Sequence, residues 1–142
     1  MRVVTLALIA VVLAACGESA PPGGGSPEAG LPLTRGFYVM NDIACADASN
    51  ATLLLVHSGG VNGSRDACDF RSIEQTGPTS YRAATTCRDI QGRSTEVSTQ
   101  LYEIPEPTTF SYGMEGSDYR SHFRYCAQTN LPDPWRDIDL SD

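Results

Sequence analysis

Five cysteines, two histidines and ten basic residues, all of them arginine, carry the chemistry open to this 142-residue chain. Cys45, Cys68, Cys87 and Cys126 form an even set at wide spacings. No two of them sit two to four residues apart, as a structural zinc loop requires. The set therefore reads as two disulfides of a small exported domain, with three connectivities open. His57 ends an apolar run beside Ser58, but no Gly-x-Ser-x-Gly elbow surrounds that serine, and a strand-end residue meeting solvent is the simpler reading. His122 lies between Arg120 and Arg124 at alternate positions, so the three share one face of a strand. Such a basic stripe can receive a carboxylate or a sulfated sugar. Pairing with internal acids such as Asp118 or Glu96 is the reading adopted.

Several classes of chemistry are excluded. The absence of lysine removes Schiff-base mechanisms and the Walker-type phosphate loop. Asp42, Asp47 and Asn50, or Asp133, Asp137 and Asp139, lack the spacing and the twelfth-position Glu of a calcium loop. No metal and no cofactor is expected. The acids are scattered over loops and outward positions, and no sheltered carboxylate pair stands out, so no enzyme is expected either. The net charge of -7 repels nucleic acid.

The N-terminus carries an address. Arg2 precedes Val3 to Ala15, a stretch with one Thr and no charge, followed by Cys16. The run fits the apolar region of an export signal and is too short to cross a bilayer core, which needs ~20 residues. Leu13-Ala14-Ala15-Cys16 resembles the end of a bacterial lipoprotein signal. The resemblance implies that Cys16 becomes the lipidated first residue, anchoring the chain to a membrane by its acyl groups. Gly17, where Asp would retain the protein at the inner membrane, favours the outer membrane, facing the periplasm. Residues 1–15 are then the signal and 16–34 the lipidated Cys and a tether. Its Pro21-Pro22 pair and Gly23-Gly24-Gly25 run cannot repay the entropy of ordering.

The remaining elements must position the cysteines and the stripe. No convincing helix follows residue 35; short period-two runs bounded by turn residues predict seven strands. These are Phe37 to Met40, Thr52 to His57, Cys68 to Gln75, Ser80 to Arg88, Ser94 to Ile104, Thr108 to Tyr112 and Tyr119 to Cys126. Ser58 to Ser64 reads as a glycine-rich connection. A tight turn at Gly77-Pro78 sets Cys68 against Cys87, Phe70 against Thr85 and Ser72 against Ala83. The next hairpin puts Val97, Thr99 and Leu101 on that same inner face, and Gln100 among the charges outside. Strand direction then pairs Cys45 with Cys126, while Cys45 with Cys68 competes as an alternative. The expected fold is all-β: a small antiparallel meander over 35–135 closing into a barrel, lipocalin-like or sandwich-like, with two disulfides. Residues 136–142 form an acidic tail. Phe70, Tyr81, Leu101, Phe110 and Phe123 are expected to fill the interior, leaving no room for an apolar cargo.

Signal, tether, β domain and disulfides are together similar to the membrane-bound inhibitors of c-type lysozyme. That family blocks its target with a motif of Ser, Tyr and Lys; Ser111-Tyr112-Gly113 is the nearest echo, and no Lys completes it. The expected function is a lipid-anchored cell-envelope protein whose non-catalytic β domain binds a partner or supports the envelope. The alternative is a periplasmic inhibitor of a lysozyme-type hydrolase. The expected partners are the membrane through the acyl anchor and an envelope protein or such a hydrolase. Replacing Cys16 by Ser should move the protein from the membrane to the soluble fraction, as read by fractionation and immunoblotting. Retention in the membrane would refute the acyl anchor.

Overall fold

A computed structural model describes residues 30–141; the expected signal, Cys16 and the expected tether as far as residue 29 lie outside them. Eight strands run in chain order: β1 (Gly36–Met40), β2 (Leu53–His57), β3 (Gly60–Asn62), β4 (Asp66–Gln75), β5 (Ser80–Asp89), β6 (Ser98–Glu106), β7 (Thr109–Met114) and β8 (Ser121–Tyr125). Each pairs antiparallel with the next, and β8 pairs antiparallel with β1, so the sheet is a closed barrel. The all-β barrel and both disulfides, Cys45–Cys126 and Cys68–Cys87, agree with the sequence.

The strand count does not. Seven strands in an up-and-down meander would leave the first and last parallel; the eighth is β3, inside the segment read as a connection. Val61 stands between Val56 and Cys68 in register. Gly60 makes the pairing possible, because a Cβ there would meet the carbonyl oxygen of Cys68 at 1.8 Å. The extra strand also reverses the direction of everything after it. Cys126 therefore lies beside the start of β1, its N–H bonded to Phe37 O. Cys45 reaches it because residues 41–52 fold back over the outer face of β1.

Register was legible only in part. Cys68 faces Cys87 and Phe70 faces Thr85, as expected, but a bulge at Arg71 sets Ser72 against Ala84 rather than Ala83. On the other side of β5, Arg88 bridges Ser94 while Thr85 pairs with Ser98, so one extra residue enters between these pairs. A one-residue slip exchanges the two faces of a strand. Gln100, Tyr102 and Ile104 thus point inward, whereas Val97 is 63% exposed and Leu101 only half-buried outside the core.

Aromatic rings fill the interior. Tyr38, Phe70, Tyr102, Phe110, Tyr112 and Phe123 form a connected set with centroids 5.2 to 6.2 Å apart, in edge, tilted and stacked pairs. Such pairs gain about 0.5–1.5 kcal/mol beyond their burial. Eight strands enclose a space that side chains can fill. The two fully enclosed phenols have outlets: Tyr102 donates to Gln100 Oε1 at 2.6 Å, and Tyr38 to the carbonyls of Thr34 and Pro107 at 2.8 Å each. Leu31 and Leu33 close one end, and Thr34 N–H bonds Pro107 O across it. Leu31 and Leu33, within the segment expected to be tether, thus pack onto the barrel because they find apolar surface there.

A second core lies outside the barrel. Phe37, Val39 and Leu53 point away from the lumen, so β1 and β2 are apolar on both faces. Residues 41–52 and the C-terminal arm cover them with Ala48, Leu131 and Trp135. The tail beginning at 136 is likewise tied down in its first part. Arg136 donates to Leu131 O, and Gln128 Nε2 to the carbonyls of Trp135 and Ile138.

Burial first, and then neighbouring Tyr125, raises the Tyr38 phenol to about 12; burial also raises Tyr102 and Tyr112. The unfolded chain therefore releases these protons first, at an ordinary pKa of ~10. Stability from this source is complete below that pH and is lost as pH rises through the folded values. Urea midpoints should hold level up to pH ~9 and fall above ~10, with Tyr38→Phe lessening the fall. A midpoint that rises with alkali would contradict the burial. Separately, Gly60→Ala should cost about 1–3 kcal/mol as an overpacking change, measured by denaturant unfolding.

Candidate functional site

An up-and-down barrel has two ends, and here they differ. The strap of Leu31 and Leu33 lies at the end carrying the β2–β3, β4–β5 and β6–β7 turns. The β3–β4, β5–β6 and β7–β8 connections rise at the opposite end, where the β1–β2 connection also departs. Four of the six large apolar residues most exposed among the described residues belong to that rim: Ile90 at 77%, Val97 at 63%, Met114 at 46% and Tyr119 at 69%. Isolated exposed apolar residues are ordinary on protein surfaces. Their collection on the connections of one end is what singles this end out.

Local chemistry holds these residues out. Asp89 Oδ1 accepts the N–H groups of Gln91 and Arg93 at 2.9 Å, its Oδ2 takes Arg93 Nε at 2.8 Å, and Gly92 adopts a φ of 80°. The hydrogen bonds from Arg93 backbone and side chain hold the Asp89 carboxyl below its usual range. This clasped turn carries Ile90 at its tip. Val97 lies where the extra residue enters β6. In the other connection Gly116 turns with a φ of 83°, Ser117 N–H bonds Met114 O, and Tyr119 N–H bonds Ser117 Oγ. Arg82 on β5 pairs with Glu115 at 2.8 Å, tying this connection to β5 across the intervening β6.

The basic stripe does not survive as a unit. His122 and Arg124 share the outer face of β8, opposite buried Phe123, and Arg120 lies just before the strand. Arg124 is half-buried, with Nη2 on Ile43 O at 2.6 Å and Nη1 on the sulfurs of Cys45 and Cys126 at 3.1 and 3.4 Å. Arg120 turns back onto the carbonyls of Ser117 and Tyr119. The expected pairing with Asp118 or Glu96 is thus corrected for these two arginines: backbone carbonyls and sulfur lie nearer than either acid. Exposed His122 and half-buried Arg120 line a surface hollow of about 400 Å³ with Tyr119, Met40 and Asp42. A second hollow, of about 280 Å³, runs beneath Ile90 between Arg65 and Asp89.

The Ser111-Tyr112 echo separates across the wall of the barrel. Ser111 faces outward opposite His122, and Tyr112 points inward, stacked on Tyr102 at 5.5 Å. Its ring is partly buried against the core. His57 is a turn brace: its Nδ1 accepts Gly59 N–H at 3.2 Å, which leaves Nε2 to donate to Asn62 Oδ1 at 3.3 Å. Asp66, Cys68 and Cys87 place ligand atoms within 4.8 Å of one another, but the two sulfurs are joined as a disulfide. Sequence reading missed the rim because Ile90 was assigned to a turn and Tyr119 to the start of the last strand. The available signal was a bulky apolar residue in a position normally given to a polar one.

No protein-family model, curated protein or solved structure matches this chain.

Proposed function

We propose that this is a lipid-anchored cell-envelope protein whose barrel holds a protein-docking rim at the end remote from the anchor. The observation that carries the reading is the gathering of Ile90, Val97, Met114 and Tyr119 on connections opposite the end where residues 30–34 enter. The filled interior speaks against a cargo in the lumen. The N-terminal resemblance supports the anchor, and cleavage there would remove Arg2 and take the net charge from -7 to -8. An acidic domain on a tether is steered toward partners with basic surfaces. Turns already braced by internal hydrogen bonds lose little entropy on docking. The partner proposed is therefore an envelope protein presenting an apolar patch bordered by basic side chains.

The test places a photo-crosslinking amino acid at Ile90 or Tyr119, and as a control at Gly77 or Thr108 on the opposite end, in intact cells. A discrete protein adduct at the rim positions alone is expected, and it should weaken in the double variant Val97→Asp, Met114→Asp. Equal adducts at both ends, or none at the rim, would overturn the docking assignment.

A further inference from the structure

We infer that Cys45–Cys126 is an exchange-competent disulfide, a site where an external dithiol attacks Cys45, and that Arg124 sets this reactivity. The two disulfides of the molecule sit in opposite electrostatic surroundings. Arg124 Nη1 donates to both sulfurs of the first, at 3.1 Å to Cys45 and 3.4 Å to Cys126, while Nη2 is held on Ile43 O. The second lies inside the barrel wall, and an oxygen of the Asp66 carboxylate is within 4.8 Å of its sulfurs. Among the described residues no carboxylate or imidazole is so placed against Cys45 and Cys126. Accessibility points the same way. Cys45 is partly exposed on a short 3-10 turn (Cys45–Asp47), whereas Cys126, Cys68 and Cys87 are 1%, 7% and 9% exposed.

The step balances as ordinary thiol–disulfide exchange. A thiolate of the dithiol attacks Cys45 Sγ, a mixed disulfide forms, and the electron pair of the broken S–S bond goes to Cys126 Sγ. The departing thiolate is the anion that the guanidinium stabilises; a better leaving thiolate leaves faster. The second thiol of the reductant then attacks its own sulfur in the mixed disulfide. That releases Cys45 as a thiolate and the reductant as a cyclic disulfide, with two electrons transferred in all. The products are structurally unequal. Breaking Cys45–Cys126 frees residues 41–52 from the C-terminal arm and leaves the β1–β8 seam and the second disulfide in place. The inference depends on neither the anchor nor the rim.

The purified full-length oxidised protein is treated with limiting dithiothreitol, quenched with an alkylating agent at intervals, and mapped by peptide mass spectrometry. Cys45 and Cys126 should be alkylated about tenfold faster than Cys68 and Cys87, and high salt should shrink that ratio. In Arg124→Gln the first pair should react about tenfold more slowly and the second at an unchanged rate, with Arg124→Lys recovering part of the loss. Equal rates for the two pairs in the unaltered protein overturn the inference without any variant being needed. So does an Arg124→Gln protein whose Cys45–Cys126 bond reacts as fast as before or faster, since exposure alone would then govern the difference.

Discussion

Closure of the sheet through β1 and β8 is the constraint from which the rest of this structure follows. An open meander of this composition would present two unpaired edges, and edges invite pairing with other chains. Closure by antiparallel pairing needs an even number of strands. A three-residue strand supplies the last one. Gly60 is the residue that admits it, because only the absence of a Cβ lets the β3 backbone meet the carbonyl of Cys68. The closed wall then sets the volume that the aromatic side chains must fill.

The closed wall also explains why the molecule has two cores. β1 and β2 are apolar on both faces, a pattern more usual for strands covered on both sides. The inner face meets the rings of the lumen, and the outer face requires a cover. Residues 41–52 and the arm from Cys126 onward provide it, and neither has regular structure long enough to hold itself there. The Cys45–Cys126 bond fastens the two to each other, and Arg124 buries its charge against the same sulfurs and Ile43 O. The inner core is held by ring packing and a bridge between neighbouring strands. The outer one depends on a bridge between segments 81 residues apart.

What could be read from the sequence depended on the range over which the information acts. Period-two alternation and a short turn at Gly77-Pro78 are local, so the Cys68–Cys87 pairing and the all-β barrel were legible. Bulges are not local. Whether Arg71 or the residues before Ser98 take up an extra position is decided by the neighbouring strands, and each slip reverses a face. That is why Leu101 was placed inside and Tyr102 was not. β3 was hidden for a related reason: Gly-Val-Asn looks like a loop until Val56 and Cys68 are set on either side of it. The Cys45–Cys126 pairing was found with a strand missing from the argument, and the long fold-back of residues 41–52 supplied the approach that strand direction alone would have denied. Of the candidate site, Arg120 and His122 were named and do border a hollow at the rim. Ile90, Val97 and Tyr119 were not, because their exposure follows from turn clasps and a register slip.

The asymmetry of the two ends is the last consequence of the topology. In an up-and-down barrel the chain enters at one end, and only the connections at the other are free to extend without crossing the entering segment. At the entry end the turns are short, and Leu31, Leu33 and Tyr38 bind the chain to them. The far end carries the long connections, and these are braced in detail: the Asp89 clasp, the Gly116 turn and the Arg82–Glu115 pair each fix a backbone path. Such bracing costs polar groups that solvent would otherwise satisfy, and its effect is to hold bulky apolar side chains in water, where each is unfavourable. A surface that is both ordered and apolar gains most by being covered, because the entropy of ordering has been lost before any partner arrives. The bracing of these turns is the physical support for proposing a docking rim at the far end.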